Sequence, residues 1–418
     1  MSLNPPLELA LIGAGNRAQT VYQPLFEELK PWIRLVAVCD PVREHADAYA
    51  DRLDVPAFYS MRDLVKARPM EAALIVAPIE LHYPLSCYLM EQGIHCHVET
   101  SMCNLLSQAQ TMVQTARSHN VILRIAENFF RFPFDRIAKQ IAETNFLGPI
   151  HRLTCFHDHT GFHNNSRWIR FYGAHPVSVQ AFKHTMPVAP HHESAHRFHT
   201  TETFRAHFYT FPGDRLVFDA AANIKGLLGR YPRPGYTEID GARGTIVFTA
   251  TAQSDPKRTW QGEGEVRYCS DQALNVQAIA DQIYPIEHHA EANWWQSTYV
   301  DLPIGRVEYK NPFPPPRSAN AIHGSRDYYT SVIMEHIVDF ANAVRGVAPS
   351  EYTAEDALMA MMMEVGTRES ELRDGVRLAL PLTGELQSEE EVRAELQQKN
   401  GIDPMDIEAM LEFAVPRP

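Results

Sequence analysis

Short apolar runs alternate with helical patterns over the first third of the chain. The apolar runs have the length of strands, and each one ends in polar or turn-forming residues. They span residues 9–12, 34–39, 74–76, 95–98 and 121–125, and helical patterns lie between them at 42–53, 84–92 and 105–118. Strict rotation of strand and helix predicts a parallel sheet covered on both faces, with ligands bound at the carboxyl ends of its strands.

The patterns later in the chain are weaker. Residues 204–211 and 215–221 alternate like the strands of a hairpin around Pro212-Gly213-Asp214. Residues 251–320 show little periodicity and predict an irregular excursion, in which Trp294-Trp295 is either a carbohydrate-stacking platform or part of an interface.

The first apolar run leads into Gly13-Ala14-Gly15-Asn16-Arg17-Ala18, a sequence that predicts a tight turn into a helix. Gly13 would allow the sharp turn, and Gly15 would let a pyrophosphate approach backbone N–H groups. The helix start, with Asn16 and Arg17, would offer N–H groups and a positive dipole end to phosphates. The hexapeptide alone is equally compatible with an ordinary strand-to-helix turn.

Asp40 ends the second apolar run and supports a dinucleotide site. A carboxylate at this position can accept hydrogen bonds from an adenosine ribose. Because it would repel a 2′-phosphate, NAD is favoured over NADP, although the nearby Arg43 keeps NADP possible. Asp40 could also cap the helix at 42–53, and both roles can hold at once.

Polar or turn-forming residues follow the other predicted strands as well. Pro78 and His82 follow the third strand, Glu99 the fourth and Asn128 the fifth. Each has a local alternative: a strand stop for Pro78, a helix start for His82 and a helix cap for Glu99. Together they predict a cofactor-binding edge.

Composition narrows the possible partners. A net charge of −13 disfavours nucleic acid and anionic membranes. No apolar run approaches the ~18 residues that span a bilayer, and the N-terminus lacks a basic region followed by an apolar one. The six cysteines form no CxxC pair, which is typical of reduced thiols. We therefore expect a cytoplasmic protein.

The motifs GAGNRA, VAVCDP, IVAPIELH, HVE, ENFFRFP and NFLGPI resemble those of the Gfo/Idh/MocA oxidoreductases. Residues 236–247 resemble the strand-turn-strand of that family's second domain, and the helical pair at 332–345 and 354–373 resembles its usual ending. The resemblance implies an α/β protein with a Rossmann NAD(P)-binding domain at 1–127. It also implies a substrate domain with a large, open, mostly antiparallel sheet at 128–385, and a homodimer or homotetramer formed through that sheet. Residues 386–418 look like an added helical extension.

Two family motifs are altered. Typical members end one strand in Glu-Lys-Pro, whose Lys serves in proton transfer, but this chain has Glu99-Thr100-Ser101. A Thr has no proton that titrates near neutral pH. The family's Asp-x-Gly-x-His motif heads a helix. Residues 171–175 match it with the His retained, but Phe171 stands in place of the Asp. His175 is thus the predicted acid or base, helped by Tyr172, which helical spacing would place on the same face.

Eleven of the twenty histidines lie between residues 151 and 207. His157 and His159 would share one face of a strand, and with Arg167 and Trp168 they are predicted to line a polar, sugar-sized pocket. Some of the other histidines are predicted to lie in a loop at 187–200. No HExxH motif or carboxylate at a clear ligand spacing is present, so no metal site is predicted.

Three functions remain open, and the first is favoured. It is an NAD-dependent dehydrogenase that acts on a secondary hydroxyl of a sugar, cyclitol or sugar derivative. The second, implied by a resemblance to NAD-dependent glycosidases of the same superfamily, is redox-neutral hydrolysis through transient oxidation at C3, elimination and water addition. The third, permitted by Thr100, is a nucleotide-binding protein without catalysis.

Overall fold

The computed structural model describes residues 5–68, 70–157, 161–194, 197–222, 236–249, 263–276, 279–291, 294–315 and 328–413. The N-terminal part is a parallel sheet of six strands in the order β3-β2-β1-β4-β5-β6. Its strands are β1 Leu7–Ile12, β2 Ile33–Cys39, β3 Ala57–Phe58, β4 Ala72–Ile75, β5 His95–Val98 and β6 Leu123–Ile125. Its helices are α1 Arg43–Leu53, α2 Met61–Ala67, α3 His82–Glu91 and α4 Leu106–Ser118, and a π-helical turn at Ala18–Tyr22 follows β1.

The second part contains an eleven-stranded sheet in the order β16-β15-β14-β13-β12-β11-β7-β10-β9-β8-β17. Its strands are β7 Ile150–His157, β8 Ser178–Ser194, β9 Arg197–Phe211, β10 Arg215–Ala222, β11 Tyr236–Gly241, β12 Gly244–Thr249, β13 Glu263–Tyr268, β14 Gln282–Glu291, β15 Trp294–Leu302, β16 Gly305–Lys310 and β17 Leu378–Ala379. Among the described strand pairs of this second sheet, only β7 and β10 run parallel. The predicted α/β class, a Rossmann domain joined to a mostly antiparallel sheet, is confirmed.

Seven further α-helices are described after β6. They are α5 Pro133–Glu143, α6 Gly161–Tyr172, α7 Asp271–Val276, α8 Tyr328–Val344, α9 Ala354–Leu372, α10 Gln387–Asn400 and α11 Ile407–Leu411. Helix α8 follows β16 of the second sheet in the chain but packs on the first sheet, where Ile337 and Phe340 share a core with Leu7 and Leu11. Helix α9 packs against α6 and β8.

The C-terminal helices α10 and α11 lie against the N-terminal domain. Glu389 accepts a hydrogen bond from the backbone N–H of Ser107, in the first turn of α4, at 2.8 Å. Lys399 pairs with Glu80 at 3.1 Å, beside the carboxyl end of β4. The predicted domain limits at residues 127 and 385 stay predictions. Among the described residues, no helix combines the length and apolarity that crossing a membrane requires.

Two predictions about irregular regions are wrong. The described parts of 251–320 contain α7 and strands β13–β16, and the described parts of 187–200 belong to β8 and β9. Much of β14 is exposed to solvent, so its alternation of apolar and polar residues is weak. Trp294 and Trp295 are buried, and their indole N–H groups donate to the Phe313 carbonyl and the Thr298 hydroxyl. Neither tryptophan forms a carbohydrate-stacking platform.

Candidate active site at the carboxyl edge of the parallel sheet

Gly13 sits where the chain turns out of β1, in a conformation that only glycine adopts readily. Its φ is +93°, and a Cβ atom would lie 2.6 Å from the carbonyl oxygen of Val76. Gly15 is different, because a Cβ atom there would meet nothing within 4 Å. The first glycine is therefore needed for the packing of β1 against β4, and the second leaves open space above the turn.

Asp40 lies at the end of β2, as predicted, and is 3% exposed. Its Oδ2 accepts a hydrogen bond from the Ala14 N–H at 2.8 Å, and its Oδ1 accepts one from the Val42 N–H at 2.9 Å. The carboxylate thus fastens the glycine turn to the start of α1. The guanidinium of Arg43 lies over the ring of Tyr59, 4.0 Å from its centroid.

Glu99, after β5, joins several groups on this edge. Its Oε1 accepts from the Arg17 Nε at 2.5 Å and from the Tyr22 hydroxyl at 2.8 Å, and its Oε2 accepts from the Thr100 N–H at 2.8 Å. Burial raises the pKa of Glu99, but Arg17 and these hydrogen bonds outweigh it, so the pKa is lowered overall. Arg17 also donates to the Tyr329 hydroxyl at 3.1 Å, at the start of α8.

Pro78 and His82 lie in the segment that follows β4. Pro78 precedes a short 3-10 turn at Ile79–Leu81. The ring of His82 is 1% exposed and lies between two carbonyl oxygens, 2.8 Å from that of Ser101 and 2.9 Å from that of Ala77. Burial lowers the pKa of His82. His82 therefore joins two loops of this edge from inside the protein.

A histidine–carboxylate pair lies at the carboxyl end of β6. Glu127 Oε2 is 2.9 Å from Nδ1 of His163, in the first turn of α6, and the Ser166 hydroxyl donates to the same oxygen at 3.4 Å. The His163 ring stacks on Phe129 with centroids 4.4 Å apart. Asn128, next to Glu127, is 3% exposed, and its Oδ1 has no hydrogen-bond partner among the described residues.

His175 and Tyr172 lie at the opposite end of α6. The helix ends at Tyr172, and Gly173 follows with a φ of +60°. The prediction that the two side chains share a helical face is wrong, because this glycine ends the helix between them. Tyr172 donates to the Leu216 carbonyl at 3.3 Å, and His175 Nε2 lies 2.8 Å from Asp356 Oδ1. The catalytic role of His175 stays a prediction.

A small open pocket lies beside His175. Its cavity volume is about 300 Å³, and Ile169, Arg170, Gly173, Ala174, His175 and Asp356 line it. Burial raises the pKa of Asp356, but hydrogen bonds from His175 and Thr353 outweigh it and lower the pKa overall. Tyr172 lies nine positions after His163, a rise of about 13 Å along the helix, so the pocket beyond Tyr172 and the Glu127–His163 pair are separate sites.

Two of the predicted substrate residues, Arg167 and Trp168, are buried together in the fold, with the Arg167 guanidinium 4.7 Å from the Trp168 ring centroid. Arg167 is 1% exposed and pairs with Asp135 at 2.8 Å, while the Trp168 indole N–H donates to Asp219 at 3.1 Å. His157 is the last residue of β7, and His159 lies outside the described residues. Across the described ranges, no group of three His, Cys, Asp or Glu side chains is arranged to hold a metal ion.

His163 was not singled out from the sequence, and Glu127 was recognised only as a polar residue at the end of the fifth predicted strand. A signal for His163 was present, because Gly161-Phe162-His163 repeats the Gly-x-His half of the Asp-x-Gly-x-His motif. This copy heads a helix, whereas the copy at 171–175 closes one. Glu127 is the first residue of the ENFFRFP motif, and its contact with His163 gives it a candidate role in proton transfer.

Comparisons with known proteins agree with this fold. Residues 7–127 match the model of the Gfo/Idh/MocA oxidoreductase family, described as having an NAD-binding Rossmann fold. A glycosyl hydrolase family 109 protein from Streptomyces filamentosus is 30% identical over 117 residues, which are 26% of this chain and 23% of the relative. The matched segment is therefore about a quarter of that relative's length.

Solved structures resemble the chain over most of its length. An oxidoreductase from Agrobacterium radiobacter, solved with NAD+, L-tartaric acid and magnesium, has a TM-score of 0.64 at 14% identity, covering 89% of this chain and 98% of that chain. An aldose-aldose oxidoreductase from Caulobacter crescentus, solved with glycerol, has a TM-score of 0.63 at 14% identity, covering 90% of this chain and all (100%) of the other. At these identities the likeness concerns the fold.

Proposed function

We propose that this chain, whose residues 7–127 match the Gfo/Idh/MocA oxidoreductase family, moves a hydride between NAD and a secondary hydroxyl of a sugar, cyclitol or sugar derivative. The observation that carries the proposal is the Glu127–His163 pair, which lies on the same sheet edge as the glycine turn. Because ligands of parallel sheets bind at this edge, an acid–base group here supports the proposal.

The residues on this edge fit NAD. Gly13 makes the turn, Gly15 leaves open space for a pyrophosphate, and Asp40 supplies a carboxylate at the end of β2. The buried Oδ1 of Asn128 has no partner among the described residues and suits an amide donor such as the nicotinamide carboxamide. When bound, NAD supplies the hydride acceptor, and the protein supplies orientation and proton transfer.

His163 is the proposed proton relay. Its Nδ1–H donates to the Glu127 carboxylate, which fixes the tautomer with Nε2 as the basic nitrogen. The carboxylate also stabilises the imidazolium that forms when the ring takes a proton from the substrate hydroxyl. His163 thereby assumes the task that Thr100 cannot perform, since Thr100 only donates within the Glu99 network.

A redox-neutral glycosidase is the second candidate. The 30% identity to a glycosyl hydrolase family 109 protein favours it, as does the absence of the Lys at position 100. In that reaction His163 would move the protons of elimination and water addition, and the same cofactor site would serve.

We also propose assembly into a homodimer or homotetramer through the second sheet. Phe182, Phe198 and Phe204 on strands β8 and β9 are 46%, 57% and 38% exposed. Large apolar side chains exposed along two paired strands favour a surface that another chain covers. Sedimentation of the purified protein would report the assembly, and a monomer at micromolar concentration would contradict it.

The first experiment follows NADH absorbance while the purified protein is offered NAD with free sugars, cyclitols and aryl glycosides. NADH formed in proportion to sugar consumed supports the dehydrogenase. Aryl alcohol released without net NADH supports the glycosidase. The activities of His163→Ala and His175→Ala then show which of the two histidines transfers the proton. Full activity of His163→Ala would overturn the proposed relay.

A further inference from the structure

The two loops that follow β4 and β5 carry residues of the proposed cofactor edge. The first, residues 76–81, is called the β4 loop and contains Pro78. The second, residues 99–105, is called the β5 loop and contains Glu99 and Thr100. The ring of His82 lies between these loops, with one nitrogen near the Ala77 carbonyl and the other near the Ser101 carbonyl.

Both loops are also tied to the glycine turn. Gly13 packs closely against the carbonyl of Val76, and the Val76 N–H donates to the Ile12 carbonyl at 2.7 Å. On the other side, Glu99 pairs with Arg17, which lies four residues after Gly13. His82 therefore completes a closed series of contacts around the edge, from the turn to the β4 loop, to the β5 loop and back to the turn.

The surroundings suit a positioning role better than direct contact with a ligand. His82 is 1% exposed, and both of its ring nitrogens lie at hydrogen-bond distance from backbone oxygens. A neutral imidazole has one N–H group, so it donates to one of the two carbonyls at a time, and donation to both at once requires the imidazolium. Replacing the ring by an apolar side chain would leave the accepting carbonyl without its donor and would remove the side chain that lies between the two loops.

We infer that His82 is a positioning residue that holds the β4 and β5 loops at the spacing the dinucleotide requires. The inference rests on the proposed function for its ligand, but the coupling of the two loops is a property of the unloaded protein. Three variants of the full-length chain test it. His82→Leu removes the donor at similar volume, and His82→Gln keeps an N–H donor. His97→Leu is the matched control, since His97 is also buried on this sheet but pairs with His336 of α8.

The first measurement is hydrogen exchange of the unloaded protein. We expect His82→Leu to speed exchange in both loops, and His97→Leu to leave both loops unchanged. The second is NAD affinity by calorimetry, where His82→Leu should weaken binding about tenfold and His82→Gln should recover most of the loss.

The outcomes separate the two proposals. Unchanged exchange in both loops of His82→Leu would overturn the positioning role, as would equal effects of His97→Leu. If His82→Leu does not fold, the positioning role is tested with the two other variants. It is supported if His82→Gln exchanges faster than wild type in both loops while His97→Leu keeps normal exchange and NAD affinity. Wild-type protein that binds no NAD would overturn the proposed function, while the exchange data would still decide the coupling.

Discussion

Nδ1 of His163 lies 2.9 Å from Oε2 of Glu127, so a helix of the second domain meets the last strand of the first sheet through a histidine–carboxylate pair. Glu127 is 5% exposed and His163 is 8% exposed. A paired imidazole with so little solvent around it is well oriented for proton transfer.

Glu127→Gln tests the electrostatic part of this pair. The amide keeps a hydrogen-bonding group of the same size but removes the charge that stabilises the imidazolium. A hydrogen bond to a charged group is worth about 1.5–3 kcal/mol, so kcat should fall about 10- to 100-fold. NAD affinity should stay near that of the wild type. Steady-state kinetics with the substrate found in the first screen measure the effect, and an unchanged kcat would remove Glu127 from the mechanism.

The two glycines of the turn should respond differently to a methyl group. Gly13→Ala puts a Cβ atom 2.6 Å from the Val76 carbonyl oxygen at a φ of +93°, so it should lower stability by about 1–3 kcal/mol or more. Gly15→Ala meets no protein atom within 4 Å and should fold normally, but its methyl group would obstruct a pyrophosphate. Thermal unfolding and NAD titration measure the two effects. Normal NAD affinity in Gly15→Ala would place the phosphates elsewhere.

The N-terminal domain could be predicted from its sequence because its strands are buried on both faces. Strand β4 has four buried residues, so it appears in the sequence as a continuous apolar run. Strand β14 of the open sheet is mostly exposed and gives no comparable pattern. The proton-transfer residue could not be predicted from the sequence pattern alone. Gly161 and Gly173 each precede a His by two residues, and only the tertiary structure distinguishes the glycine that starts a helix from the one that ends it.

Arg167 is expected to support the fold rather than bind substrate. Its guanidinium pairs with Asp135 at 2.8 Å and donates to the Thr237 hydroxyl at 3.1 Å, and the side chain is buried. Arg167→Leu would leave Asp135 buried without its partner, which typically costs about 3–5 kcal/mol. Denaturant unfolding should report this loss, and KM should be unchanged in the protein that folds. A large rise in KM without a loss of stability would restore the substrate-binding role.

The acid stability of the protein should depend on Glu351. This carboxylate accepts hydrogen bonds from Arg131 at 2.6 Å and Arg136 at 2.9 Å, and so ties the start of α5 to the segment between α8 and α9. Burial raises the pKa of Glu351, but the hydrogen bond and charge of Arg136 and the charge of Arg131 outweigh it and lower the pKa to about 2.

Because the folded-state pKa is depressed, Glu351 contributes stability above its unfolded value of 4.5, and the contribution is lost as pH falls from there toward 2. Glu351→Gln should therefore be less stable than the wild type at pH 7, and the difference should shrink across this window. Glu355→Gln is the control, since Glu355 forms an exposed pair with Arg117. Denaturant unfolding at pH 7, 5, 4 and 3 measures both. A difference that stays constant with pH would mean that Glu351 contributes through packing and not through its charge.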